Sequence, residues 1–216
     1  MWCVPTLTSE YIEKMEDLLD LYGKELSPKE PVVCFDEKPI QFLGEIFPRI
    51  PAKKPGDIAK YDYEYERRGT ANIFSAVEPK AGKHIASVYL RKRGREFAKF
   101  SKKISDAYPT AKRIHLVMDN LKTHSEKSLI EEFGEKSGKK LWNRFIVHYT
   151  PKHASWLNQA EIELSVCSKQ CLGKRRFGSP NELRKEVSAW RGRANRTKQK
   201  IAWKFTTKAA RSKFGY

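Results

Sequence analysis

The sequence predicts an α/β fold: one mixed five-stranded sheet with helices on both faces. Three observations carry that expectation. Short apolar or alternating runs at residues 32–36, 72–77, 84–90, 113–119 and 144–150 read as strands. The first three are separated by loop and turn signals, as in an antiparallel meander. The last two each follow a helix-period segment, as parallel strands require. Two of the runs, VVCFDE and RIHLVMD, close on an aspartate, where a buried strand delivers a side chain to the rim of a sheet.

Each element has its own signal. In TSEYIEKMEDLLDLYGKEL, Thr8 or Ser9 can cap a helix whose apolar face is Tyr11, Met15, Leu18, Leu19 and Tyr22, with Gly23 as its stop. Pro28 and Pro31 lead into the first strand, Val32–Asp36, which PIQFLGE extends. PRIPAKKPGD is a proline-rich, basic surface segment. Gly69 in YEYERRGTANIF makes a turn into the second strand, and PKAGK is the hairpin turn to the third. Phe97, Phe100, Ile104 and Ala107 recur at helical spacing before Pro109. Thr123 and Glu126 have capping-box spacing at the start of THSEKSLIEEFGEK. After the fifth strand, YTPKHASWLNQAEIELS reads as a loop that turns into a helix running to about Leu172, with Ser155 as the N-cap. Pro180 suits the first turn of SPNELRKEVSAWRGRAN, and WKFTTKAARSKF follows. Three regions are expected: 1–31 a linker and helix, 32–172 the α/β body, and 173–216 a basic helical end.

Charge points to a partner. Of the formal +17, the last 45 residues hold 14 Lys and Arg against 2 acids, a balance of +12. Aromatics lie among those charges (Phe177, Trp190, Trp203, Phe205), a combination that suggests a polyanion, above all nucleic acid; the alternative is a solvated helical face. No apolar run approaches a membrane span and no signal peptide opens the chain, so no membrane partner and a cytoplasmic, nucleoid-associated location are expected. Cys3, Cys34, Cys167 and Cys171 form no CxxC pair and read as reduced thiols.

Three acids are the candidate chemistry. Asp36 and Asp119 close strands, and Glu161 lies on the first turns of the helix after the fifth strand. Two Asp and one Glu at one rim form an oxygen-rich site suited to Mg²⁺ or Mn²⁺. Each has an ordinary reading beside this one. Asp36 also fits a turn after a strand, with Glu37 as the rival ligand, although alternation points the two to opposite faces. Asp119 also fits a helix cap. Glu161 competes with Glu163, which lies about 200° away around a helix. His124, His148 and His153 read as structural.

VVCFDE, YEYERRGTANIF, HLVMDNLKTH and YTPKHASWLNQAEIELS together resemble the mariner-like transposases and the related bacterial insertion-sequence transposases of the DDE superfamily. WKFTT is similar to that group as well. The resemblance spans nearly the whole chain and implies a ribonuclease-H-like catalytic domain. It selects Asp36, Asp119 and Glu161 as catalytic and metal-holding residues. It implies two Mg²⁺ ions, with Mn²⁺ as substitute, clamping the attacking and leaving oxygens in DNA strand cleavage and strand transfer. It also implies double-stranded DNA as partner, both transposon ends and target, and a homodimer on DNA. Lys122 and Lys152, which flank the acids, and the cluster Lys174, Arg175 and Arg176 are the candidate DNA contacts.

Two departures from the family pattern stand out. Asp119 and Glu161 are 42 residues apart, longer than the mariner spacing, which places an insertion around GEKSGKK. The end-reading helix-turn-helix region of the family has no counterpart here, so a truncated, non-catalytic DNA-binding derivative is the alternative function. A doubly wound phosphohydrolase or receiver domain is a third reading, opposed by the antiparallel meander and the basic tail.

Overall fold

A computed structural model describes residues 7–47, 50–60, 63–173 and 175–216. Five strands form one sheet in the order β3-β2-β1-β4-β5. They are β1 (Val32–Glu45), β2 (Tyr65–Glu78), β3 (Lys83–Tyr89), β4 (Ile114–Met118) and β5 (Phe145–Tyr149). The β1–β2 and β2–β3 pairs are antiparallel, and β1–β4 and β4–β5 are parallel, as the chain order predicts.

Strand β1 is much longer than the apolar run that announced it. It pairs with β4 only over Val32, Val33 and Cys34, then continues alone with β2 to Glu45. Beyond Cys34 it is therefore an edge, which is why Pro39, lacking an N–H, is accommodated inside it. Gly69 does not make the turn into β2. It sits within the strand at φ +103°, opposite the register shift between Gln41 and Leu43. That conformation favours glycine at an irregularity in the ladder.

One face of the sheet carries α2 (Gly94–Asp106), α3 (Glu126–Phe133) and α4 (Glu135–Trp142). Phe35 lies at the centre of this layer, with the rings of Phe74, Phe97 and Phe100 at centroid distances of 5.8, 5.8 and 5.4 Å. The opposite face is covered by α1 (Ser9–Gly23) and α5 (Gln159–Cys167), through Tyr11, Met15, Leu18 and Ala160 against Cys34 and Val117. Further along, α5 and α6 (Pro180–Thr197) bury Leu164, Leu183, Val187 and Trp190 against Phe42, Ile73 and Val88. The short α7 (Thr207–Phe214) closes the chain, with Ala210 buried in the α1 layer.

Several local expectations hold and several do not. Thr8 caps α1, its Oγ1 accepting from Tyr11 N at 3.2 Å, and the expected face of α1 is buried. Ser179 caps α6 with Pro180 in its first turn. The Thr123–Glu126 box does not form: the N-cap of α3 is Ser125, and the Thr123 carbonyl instead accepts from Ser128 Oγ. Gly134, at φ +80°, breaks the expected single helix into α3 and α4, and α4 covers the GEKSGKK segment. The aromatics of the basic end pack inward and do not face a polyanion. Phe177 and Trp190 are core residues, Trp203 meets the ring of Tyr22, and Phe205 meets that of Trp156. Cys34, Cys167 and Cys171 are buried free thiols, while Cys3 lies outside the described residues.

Candidate active site

The parallel pairing of β1 and β4 sets the first two acids side by side. Cys34 is level with Val117, and two residues further along each strand stand Asp36 and Asp119. Period-two alternation puts both on the α1/α5 face with Cys34 and Val117, just where the two strands part. Phe35 and Glu37 point to the other face, as expected.

The third acid is delivered by a helix start. Ser155 begins only a 3₁₀ turn, Ser155–Leu157, and is not the cap of α5. The cap is Asn158: its Oδ1 accepts from Ala160 N at 3.1 Å, and its Nδ2 donates to the carbonyl of Phe35 at 2.8 Å. One buried side chain thus ties the first turn of α5 to β1 immediately before Asp36. Glu161 stands in that first turn, exposed, where the helix dipole favours a carboxylate. Asn158, not the expected Ser155, is the positioning residue at this helix start. Its signal was there, an Asn three residues before a Glu at a helix start.

Glu163 has a different partner. It is buried, with Oε1 2.6 Å from His84 Nδ1, and His84 Nε2 donates to the carbonyl of Gln199 at 2.9 Å. It joins α5 to β3 and to the chain after α6.

The electrostatics of the cluster are those of crowded negative charge. Burial pushes the Asp36 pKa up to about 7; the Glu37 N–H bound to Oδ1 at 2.7 Å opposes this, and the charges of Asp119, Glu161 and Glu37 add to it. Among the described residues no Lys or Arg pairs with Asp36, Asp119 or Glu161. Beside Asp119, the buried His124 places Nδ1 2.6 Å from Oδ1 of Asp119 and donates to the Asp119 carbonyl at 3.2 Å, so its contact with the carboxylate is chiefly electrostatic. Its Nε2 donates to Glu37 Oε1 at 3.0 Å. Burial opposes charge on this ring, but the Asp119 and Glu37 carboxylates prevail and hold its pKa at about 9. His124 therefore links the two faces of the sheet edge.

Next to Asp119 opens a cleft of about 700 Å³, lined in part by Thr8, Lys14, Asn120, Lys152 and His153. Lys152 is thus beside the acids, and Lys122 lies exposed on the turn after β4. The other predicted DNA contacts are elsewhere. Arg175 pairs with Glu186 at 3.0 Å, Arg176 lies over the ring of Tyr65, and Lys174 is outside the described residues. Among the described residues no three His, Cys, Asp or Glu side chains already surround one metal-sized point. What the three acids share is a field of carboxylate oxygen that, among the described residues, no Lys or Arg pairs with and that His124 offsets only at Asp119. A divalent hard cation relieves that condition.

Residues 31–184 match the family model described as DDE superfamily endonuclease. The chain belongs to that superfamily. No curated protein sequence matches it. Among solved structures, this DDE-superfamily chain is similar to the Mos1 mariner paired-end complex with Mn, at 14% identity and a TM-score of 0.57, over 92% of this chain and 62% of that one. It is similar also to the Mos1 strand transfer complex, at 15% identity and 0.59, over 92% and 60%. A pre-cleavage Mos1 transpososome matches at 13% and 0.57, over 94% and 67%. The chain thus spans about three-fifths of the length of the first of these relatives. At such identities the likeness establishes the fold, which is ribonuclease-H-like.

Proposed function

We propose that this chain is the catalytic part of a DDE transposase, which cleaves DNA and joins the freed strand end to target DNA, with Asp36, Asp119 and Glu161 as its catalytic and metal-holding residues. The observation that carries the reading is the convergence of three acids from β1, β4 and α5, of which, among the described residues, none is paired with a Lys or Arg and only Asp119 has a cationic neighbour, His124. The family membership supports it independently.

The residues divide the work. Asp36 and Asp119 offer adjacent oxygens from the ends of two rigid strands, and Glu161 closes the site from α5. Asn158 keeps that helix start against β1, and His124 orients Asp119. These carboxylates would hold two Mg²⁺ ions, or Mn²⁺ in their place, which would supply Lewis-acid charge for phosphodiester cleavage. Asp36 must give up its proton for the site to load, so loading weakens below about pH 7. Lys152 and Lys122 are suited to DNA phosphates along the cleft beside Asp119.

Double-stranded DNA, both element ends and target, is the proposed partner. A homodimer on DNA is supported by the stretch around the β1–β2 loop, where Ile46, Phe47, Ile50, Ile58 and Tyr63 are exposed. We retain 32–172 as the catalytic body and 173–216 as the basic end, although α6 packs on the same sheet. Among the described residues no helix is long and apolar enough to cross a membrane.

The test is strand cleavage of a supercoiled or end-bearing DNA, with Mg²⁺ or EDTA. Asp36→Asn, Asp119→Asn and Glu161→Gln each should lower the rate by roughly 10³-fold, about 4 kcal/mol of barrier, with DNA affinity nearly unchanged. Cleavage that survives all three substitutions would place the chemistry elsewhere.

A further inference from the structure

The sheet has a second edge, β3, and the groove along it is lined by cations. Its walls come from β3, α2 and α6, it encloses about 300 Å³, and Ser87, Lys103, Arg184, Ser188 and Arg191 line it. Lys103 Nζ donates to Ser87 Oγ at 2.7 Å and to the carbonyl of Ala86 at 3.3 Å. Arg191 approaches the same carbonyl at 3.4 Å and donates to Ser188 Oγ at 3.3 Å. Arg184 donates to Asn181 Oδ1 at 2.8 Å. A guanidinium carries five N–H donors and an ammonium three, so most of the donors in the groove are left for another acceptor.

The charge balance here differs from its surroundings. On α2, Arg95 and Lys99 pair with Glu132, and Lys102 pairs with Asp106. Arg93, which caps α2, pairs with Glu96. Among the described residues Lys103, Arg184 and Arg191 have no acidic partner at all. Lys103 is held below the usual lysine range by burial and then by the nearby charge of Arg191, with no carboxylate to offset either. Two cations on one carbonyl could serve only to blunt an edge strand. That purpose explains neither Arg184 nor the concave shape with hydroxyls on both walls.

We propose that this groove holds the phosphodiester backbone of a DNA duplex, as a contact surface separate from the acids on β1, β4 and α5. Non-bridging phosphate oxygens are acceptor-only and anionic, and they match forked guanidinium donors, an ammonium and two hydroxyls. Backbone contacts of this kind position DNA without reading its sequence. The inference rests on the reading of the chain as a DNA-processing enzyme, and it adds a second place where the DNA path touches the protein.

The experiment is duplex binding by the full chain in EDTA, read by fluorescence anisotropy across a KCl series. The variant is Lys103→Gln/Arg184→Gln/Arg191→Gln, in which each Gln keeps a donor for its local partner. The charge-matched control is Lys102→Gln/Lys127→Gln/Lys139→Gln, whose lysines are spent in exposed i,i+4 pairs. If each groove cation meets one phosphate, the groove variant flattens the slope of log affinity against log salt by about 3 × 0.9. The control should change it by less than one. Equal slopes for the two variants, or an unchanged slope in the groove variant, overturn the proposal. A second readout is independent of folding losses: a photo-crosslinker on Ser188→Cys in the otherwise unchanged chain should capture the duplex, and its failure to do so counts against the groove. Mg²⁺-dependent cleavage by the wild-type chain separates the two ideas. A flattened slope without cleavage leaves the groove and removes the enzyme, whereas cleavage with an unchanged slope does the reverse.

Discussion

Replacing Asp36 by Asn should make the metal-free protein more stable while destroying its function. Asp36 is pushed from an ordinary carboxylate value to about 7, first by burial and then by its acidic neighbours. A shift of roughly three units is worth about 4 kcal/mol at 1.36 kcal/mol per unit, and partial solvent access reduces this to about 2–4 kcal/mol. The folded-state value lies above the unfolded one, so the group's contribution is fully present below about pH 4 and is lost as pH rises to about 7. Asn carries no such charge, and its Oδ1 can still accept from Glu37 N. In EDTA at about pH 8, Asp36→Asn should therefore melt higher than the wild type by roughly 5–15 °C for a chain of this size. The gap should close as pH falls towards about 4. Added Mg²⁺ should raise the wild-type melting temperature and leave that of the variant unchanged. Calorimetry or chemical denaturation across that pH range is the assay. The reasoning is falsified if Asp36→Asn is no more stable than the wild type in EDTA at about pH 8.

Three further outcomes are expected. Glu163→Ala strips His84 of its buried partner and should cost about 3–5 kcal/mol; Glu163→Gln should cost less and keep cleavage activity below its melting temperature, and a folded but inactive Glu163→Gln beside an active Glu161→Gln would reverse the assignment of the third acid. In the metal-free protein His124 should titrate near 9 by NMR, and the stability it contributes, on the order of 3 kcal/mol, should be complete below about pH 6.5 and lost as pH rises through about 9; an ordinary titration midpoint would mean that Asp119 and Glu37 do not hold its charge. Lys122→Gln with Lys152→Gln should flatten the salt dependence of DNA binding by about 2 × 0.9 if each meets a phosphate, and Arg175→Gln, already paired with Glu186, should leave it nearly unchanged.

Much of the fold was legible in the sequence because it is written in local periods. Apolar runs ending in Asp36 and Asp119, the α1 face from Tyr11 to Tyr22, and Pro180 behind Ser179 each report a preference that a few consecutive residues enforce. The antiparallel start and parallel end of the sheet followed from chain order, whereas the neighbouring of β1 and β4 came from the folded chain. Chain-distant contacts were not legible. No local pattern says that β1 outruns its pairing with β4, so that Asp36 stands just past the last β1–β4 pair. The cap of α5 passed from Ser155 to Asn158 because Asn158 also satisfies the Phe35 carbonyl, 123 residues away in sequence. Phe177 and Trp190 read as partners for a polyanion because charge surrounds them in sequence, yet burial of large aromatic area against β2 and β3 outweighed it. By itself the sequence determined the types of most elements and a mixed sheet, antiparallel first and parallel later, and it singled out Asp36, Asp119 and Glu161 as candidates. Tertiary structure alone decided that Glu163 serves His84 and that His124 joins Glu37 to Asp119, because such buried polar groups are satisfied only by partners the folded chain brings to them.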